Sequence, residues 1–267
     1  MPTATGRALL FVAITTLALV AALSVRSRLE RRAAQNQATA DRLAASDSAF
    51  ADSVIRASED QRATITLRPS ALAAPVRDTV RIAQLLATRR SGTYLDAVVA
   101  ARDSTLFRWP DRRGNALSIW VQEPALPGFE SPLVAAVQNA FRTWSEAGVP
   151  VAFRFVADSA RADVHVTWVD RYESRTSGRT RWAHDQHDWI VGGGIELAIH
   201  QPDGKKLEHR AVLAIARHEV GHLLGLDHSP NERDIMSANV RVSELSEADV
   251  ATVRLLYDLP PGSLRAP

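Results

Sequence analysis

The chain of 267 residues contains no cysteine. That absence excludes a disulfide scaffold, a thiolate zinc site, a cysteine nucleophile and an iron–sulfur cluster. Methionine is scarce as well, with Met236 standing alone after the initiator. Neither sign of charge dominates. The 32 basic and 30 acidic residues leave a formal net charge of +2, so no strong field draws nucleic acid and none is expected as a partner. Glycine is missing from Arg7 through Ser91. All six tryptophans lie between Trp109 and Trp189, and all eight histidines between His165 and His228. A domain with tight turns and an aromatic core is therefore expected from about residue 95 onward. Without thiols, any metal has to be held by histidine and carboxylate.

An uncharged run from Ala8 to Val25 is flanked by Arg7 and by Arg26, Arg28, Arg31 and Arg32. Its 18 residues exceed the roughly 7–15 of a signal-peptide core and fall within the roughly 17–25 of a spanning helix. Ala22-Leu23-Ser24 also offers small residues at a cleavage site. Residues 1–26 are thus read as a membrane anchor or signal segment. The arginines on the C-terminal flank argue for keeping that side cytoplasmic. Residues 27–94 are rich in Ala, Arg, Ser and Asp, with a thin helical stripe of Leu43, Phe50 and Val54. Pro69 and Pro75 interrupt it before a second helical stretch through Val80, Ile82, Leu85 and Leu86. This segment reads as a partly helical stalk, or as a pro-like segment folding over a site. Residues 95–260 form the main domain and 261–267 a tail.

The main domain mixes helix and strand. Strands are expected at Leu117–Gln122, Val151–Val156 and Ala162–Val169 from period-two alternation, and at Ile195–Ile199 from a short apolar run after three glycines. Helices are expected at Leu133–Ala147 behind Ser131-Pro132, at Ala211–Leu226, and at Ser246–Tyr257.

The chemistry sits on the second of these helices, in His218-Glu219-Val220-Gly221-His222-Leu223-Leu224-Gly225-Leu226-Asp227-His228. His218 and His222 are one helical turn apart, so their imidazoles share a face and can share an ion. Glu219 stands about 100° round the helix, beside a metal rather than on it, where it can take a proton from water. Gly225 can adopt positive φ and turn the chain back, bringing His228 to the same ion. Three neutral imidazoles leave the charge of a zinc ion intact and one position open for water. By residue frequencies, the whole pattern arises by chance in only about one sequence in 10⁵.

This motif resembles that of the metzincin zinc endopeptidases, His-Glu-x-x-His-x-x-Gly-x-x-His. Ser229 after the third histidine is similar to the matrixin (matrix metalloproteinase-like) branch. The resemblance covers about residues 105–258. It implies an α+β zincin-like fold: a twisted mixed sheet with an edge substrate strand, an active-site helix, a Met-turn and a C-terminal helix. Ile235-Met236-Ser237 looks like the Met-turn, with Met236 as a packed floor. Ala238 stands where some relatives place a tyrosine near the metal, so no fifth ligand is implied. The stretch Gly194–Gly204 resembles the edge strand, which makes Ile195, Leu197 and Ala198 expected substrate contacts. Ala238 and Val240 are expected in the wall of the specificity pocket. Leu245–Tyr257 is similar to the C-terminal helix.

The sequence also departs from that family. A second, structural zinc would draw on His184, Asp185, His187 and His200. The register instead puts Ile199 where a ligand belongs, so this zinc is not expected. The family's thiol latency device is impossible here. No calcium pattern and no oligomeric state are read from the sequence. The resemblance implies a zinc-dependent endopeptidase acting on protein or peptide substrates, with its domain extracytoplasmic; the N-terminal apolar run adds the expectation that the protein is membrane-anchored or secreted. Three other readings stand beside it: a zincin with Glu244 or Glu247 as third ligand, a non-catalytic zinc-binding, membrane-tethered interaction module, and a tethered assembly protein working through its stalk.

Overall fold

The computed structural model describes residues 55–56 and 65–264. The membrane or signal segment expected at 1–26, the Leu43–Phe50–Val54 stripe and the last tail residues lie outside the described residues. Strands β1 (Ile55–Arg56) and β2 (Ile65–Leu67) come first, followed by helices α1 (Thr79–Arg89) and α2 (Leu95–Ala100). Strands β3 (Thr105–Leu106) and β4 (Arg112–Val121) lead into helix α3 (Ser131–Glu146). Next are β5 (Val151–Phe155), β6 (Val164–Val169), β7 (Gly178–His184) and β8 (Ile190–Ala198). Helix α4 (His209–Leu223), β9 (Asn239–Val240), helix α5 (Glu247–Asp258) and β10 (Gly262–Ser263) complete the order. No helix among the described residues is long and apolar enough to cross a membrane.

One mixed sheet carries the domain, in the order β2-β7-β8-β6-β4-β5. Strands β4, β5, β6 and β8 run parallel, β7 runs antiparallel to β8, and β2 lies parallel on β7. The parallel pairing of β4 and β5 needs a crossover, which α3 supplies. Strand β6 shows the alternation read from its sequence, with Val164, Val166 and Trp168 inward.

The edge-strand expectation for Gly194–Gly204 is overturned. Its apolar run lies in β8, which pairs with β6 on one side and β7 on the other. The strand outside it is β7, packed against helix α4, and its Gly-Arg-Thr-Arg start has no apolar alternation to betray it.

The helices follow their local chemistry. Ser246 accepts from Asp249 N while Asp249 accepts from Ser246 N, a reciprocal cap that starts α5. For α3, Glu130 and not Ser131 is the cap residue, and Pro132 sits in the first turn. Helices α3 and α4 pack against each other over the sheet. Trp144 on α3 donates its indole N–H to Arg217 O (2.7 Å), and Trp109 donates to Leu223 O (2.8 Å). Both rings are fully buried, which stabilises the core by roughly 1.5–3 kcal/mol each or somewhat more for so large a side chain, and their polar edges stay satisfied.

Residues 65–78 are held differently. Leu67, Leu72 and Val76 are exposed, so the strap buries little apolar surface. It is attached by polar contacts instead: Arg68 N to His184 O (2.9 Å), Ser70 Oγ to Asp185, Trp189 Nε1 to Ala73 O (3.0 Å), and Arg77 to Pro261 O (2.6 Å).

Candidate active site

Helix α4 buries His218, Glu219 and His222 because it packs on the sheet, against β7 and β8. His218 Nδ1 donates to Ile235 O (2.8 Å) and His222 Nδ1 to Leu226 O (3.0 Å). A carbonyl can only accept, so both Nδ1 atoms carry the hydrogen and both Nε2 atoms present lone pairs. Those two Nε2 atoms stand 3.0 Å apart. The Nε2 of His228 is buried and has no hydrogen-bond partner. Single nitrogen atoms of the three rings lie within 4.8 Å of one another. Burial pushes His218 down to about 3, with the neighbouring His228 adding to the effect. Burial also lowers His222 and His228, so no proton relieves the facing lone pairs at neutral pH. Three converging neutral imidazoles suit a zinc ion, and the buried, unsatisfied Nε2 of His228 is the observation that favours one.

The return of the chain from α4 to His228 depends on Gly225, whose φ is +101°. Leu226 N bonds back to Gly221 O (3.0 Å). Arg102, which belongs to no motif, ties this turn from outside. Its guanidinium contacts Asp227 (3.1 Å) and Leu226 O (3.1 Å) and stacks 4.9 Å over the Trp182 ring. Below the histidines lies Met236, fully buried, so close to Gly221 that a Cβ there would come within 2.2 Å of its sulfur. Ile235 N and Met236 N both donate to the Asp249 carboxylate (2.9 and 3.4 Å), which also accepts from Tyr94 (3.0 Å). Only the Ser246-x-x-Asp249 spacing hints at that role.

Glu219 is buried on the β7 side of α4. Desolvation pushes its carboxyl up to about 7, against a hydrogen bond from Thr180 that favours the charged form. Such a group is poised to exchange a proton near neutral pH.

The other expected residues fall elsewhere. Ile195, Leu197 and Ala198 are buried within the sheet, which corrects their placement as substrate contacts. Ala238 is half-buried just after Met236, while Val240 is buried and pairs with Ile55 through the backbone. The histidines weighed for a second zinc do not gather. His184 bonds Asp185 O (2.9 Å), Asp185 caps its own turn through His187 N (2.8 Å), and His200 pairs with Asp170 (2.8 Å). Among the described residues only His218, His222 and His228 form a cluster that could hold a metal. Glu244 pairs with Arg217 (2.8 Å), and Glu247 stands in the first turn of α5.

The chain is similar in sequence to several known proteins. Rat macrophage metalloelastase is 29% identical over 137 residues, covering 46% of this chain and 28% of that protein. Metalloendoproteinase 1 of Glycine max is 24% identical over 156 residues, 51% of this chain and 48% of its own. Metalloendoproteinase 2-MMP of Arabidopsis thaliana is 33% identical over 92 residues, 33% of this chain and 23% of its own. The chain therefore spans less than half the length of these relatives. Residues 116–258 match the matrixin family as a whole, and the chain belongs to it.

Proposed function

We propose that this chain is a zinc-dependent endopeptidase that hydrolyses peptide bonds in proteins or peptides. The observation that carries the reading is the convergence of three imidazole lone pairs beside a buried carboxyl. Zinc, when bound, supplies a Lewis acid for the water and for the scissile carbonyl. His218, His222 and His228 would hold it, the first two fixed by their Nδ1 bonds to main-chain carbonyls. Glu219 takes the proton from the attacking water and returns it to the leaving amine. The full chain is expected to bind one equivalent of zinc, to cleave a peptide library, and to lose cleavage on chelation until zinc is restored. Protein purified without zinc, or cleavage indifferent to chelation, overturns the assignment. Bound zinc with no cleavage would leave the interaction-module reading.

The same reading extends to the segment before the domain. Residues 27–94 act as a pro-like segment, and the support is that β2 occupies the free side of β7, where an extended substrate would add as a strand. Arg89, Arg90, Ser91 and Gly92 are exposed, from the last residue of α1 to the turn before Tyr94. Limited trypsin cleavage there, followed by release of the strap, is expected to raise peptide hydrolysis about tenfold or more, since a tethered strand competes at high effective concentration. An unchanged rate would make the segment a plain stalk. We also propose that the domain works outside the cytoplasm, membrane-anchored or secreted, with the run from Ala8 to Val25 as its anchor or signal segment.

A further inference from the structure

Alternate residues of β7 face α4, and they are Gly178, Thr180 and Trp182, all buried, while Arg181 points to solvent. The first two meet Glu219. At Gly178 a Cβ would come within 2.5 Å of Glu219 Oε1, 2.7 Å of its Cγ and 2.7 Å of Ile215 Cγ2. Any side chain there would displace the carboxyl. Thr180 Oγ1 lies 2.7 Å from Glu219 Oε2 and 2.9 Å from the main-chain oxygen of Glu219. These contacts reach the glutamate at both its head and its backbone.

We propose that Thr180 is the positioning residue for Glu219, with Gly178 leaving the space in which the carboxyl is held. This rests on the reading of Glu219 as the proton-transfer group. Helix geometry points Glu219 away from the histidine face by about 100°, so the helix alone does not aim it. A glutamate has three side-chain torsions, and burial without a partner would leave its head free to choose among rotamers. The hydroxyl removes that freedom. It also suits both states of a group that takes a proton and gives it back. Toward the carboxylate, Thr180 donates. When Glu219 holds the proton, Thr180 accepts it in a hydrogen bond and donates instead to the main-chain oxygen. One hydroxyl thus serves both states without moving a heavy atom.

The test compares Thr180→Val, which keeps the shape and loses the hydroxyl, with Thr180→Ser, which keeps the hydroxyl. In the full chain, valine is expected to lower kcat about ten- to a hundredfold with KM within about twofold, and serine to restore most of it. Zinc affinity, read by competition with a chelator, should stay unchanged in both. The carboxyl carbon resonance of Glu219 in metal-free protein should shift in the valine variant and return with serine. In a Glu219→Gln background, Thr180→Val should have no further effect on the residual rate. Three results would overturn the role: an unchanged kcat and resonance with valine, a serine variant as impaired as valine, or an equal loss in the Glu219→Gln background. Failure of the underlying reading looks different, because then Glu219→Gln itself would keep full activity.

Discussion

Glu219→Gln is expected to lower kcat by about 10²- to 10⁴-fold while one equivalent of zinc stays bound. Glutamine keeps the length of the side chain and can still accept from Thr180, so the histidines should not be disturbed. What disappears is the ability to take and return a proton. Peptide hydrolysis and metal content measured on one preparation separate the two effects, and full activity would remove Glu219 from the chemistry. The same substitution carries a stability signature in metal-free protein. The carboxyl titrates near 4.5 when the chain is unfolded and at about 7 when folded. The folded state therefore binds more protons between those values, and the wild-type protein loses stability as pH rises through that window. The glutamine variant lacks this loss. Its advantage over wild type should grow from about pH 4.5 to pH 7 and level off at about 3 kcal/mol. Thermal unfolding of both metal-free proteins across that range checks it, and a constant difference would contradict the burial of that carboxyl.

Gly225→Ala is expected to cost about 3 kcal/mol or more and to weaken zinc binding at least tenfold. Two effects act at once. The residue sits at φ +101°, a backbone conformation that side chains disfavour, and its Cβ would lie 2.1 Å from Phe107 O. That obstacle is a main-chain carbonyl and cannot swing aside. The turn must open, and Leu226 and His228 move with it. Leu226 O is the acceptor that fixes His222, so the damage reaches two of the three proposed ligands. Chelator competition and thermal unfolding measure the two losses separately. Wild-type values for both would mean that the turn tolerates the methyl group and does not govern the site.

The parts of this molecule that are legible in its sequence are those set by local chemistry. Residues four apart on a helix share a face whatever surrounds them, so spacing alone places His218, Glu219 and His222 relative to one another. The cap of α5 by Ser246 and Asp249 is likewise a matter of a few neighbouring atoms. The strands β5 and β6 and the second half of β4 declare themselves through alternation, while the start of β4 at Arg112 does not. Pairing across the chain is what local chemistry does not encode. The apolar run around Ile195 is a strand, as its residues indicate, but whether a strand takes the edge or the interior depends on which other segment joins it. That segment is β7, whose inward residues Gly178 and Thr180 are small or polar because they accommodate Glu219 and not a hydrophobic core. The feature that hides the strand is the one that fits it to its place. Arg102 stays hidden for a related reason, since a buried arginine becomes recognisable only when its aromatic and carboxylate partners are assembled around it.

The indoles of Trp109 and Trp144 also give the protein a built-in optical gauge. Both rings are shielded from water, and each donates to a carbonyl of the helix that carries His218 and His222. Loosening that helix would wet both rings and strip them of their acceptors, moving their emission to longer wavelength. The integrity of that helix is thereby written into the intrinsic fluorescence of the chain, where it can be followed without any attached dye.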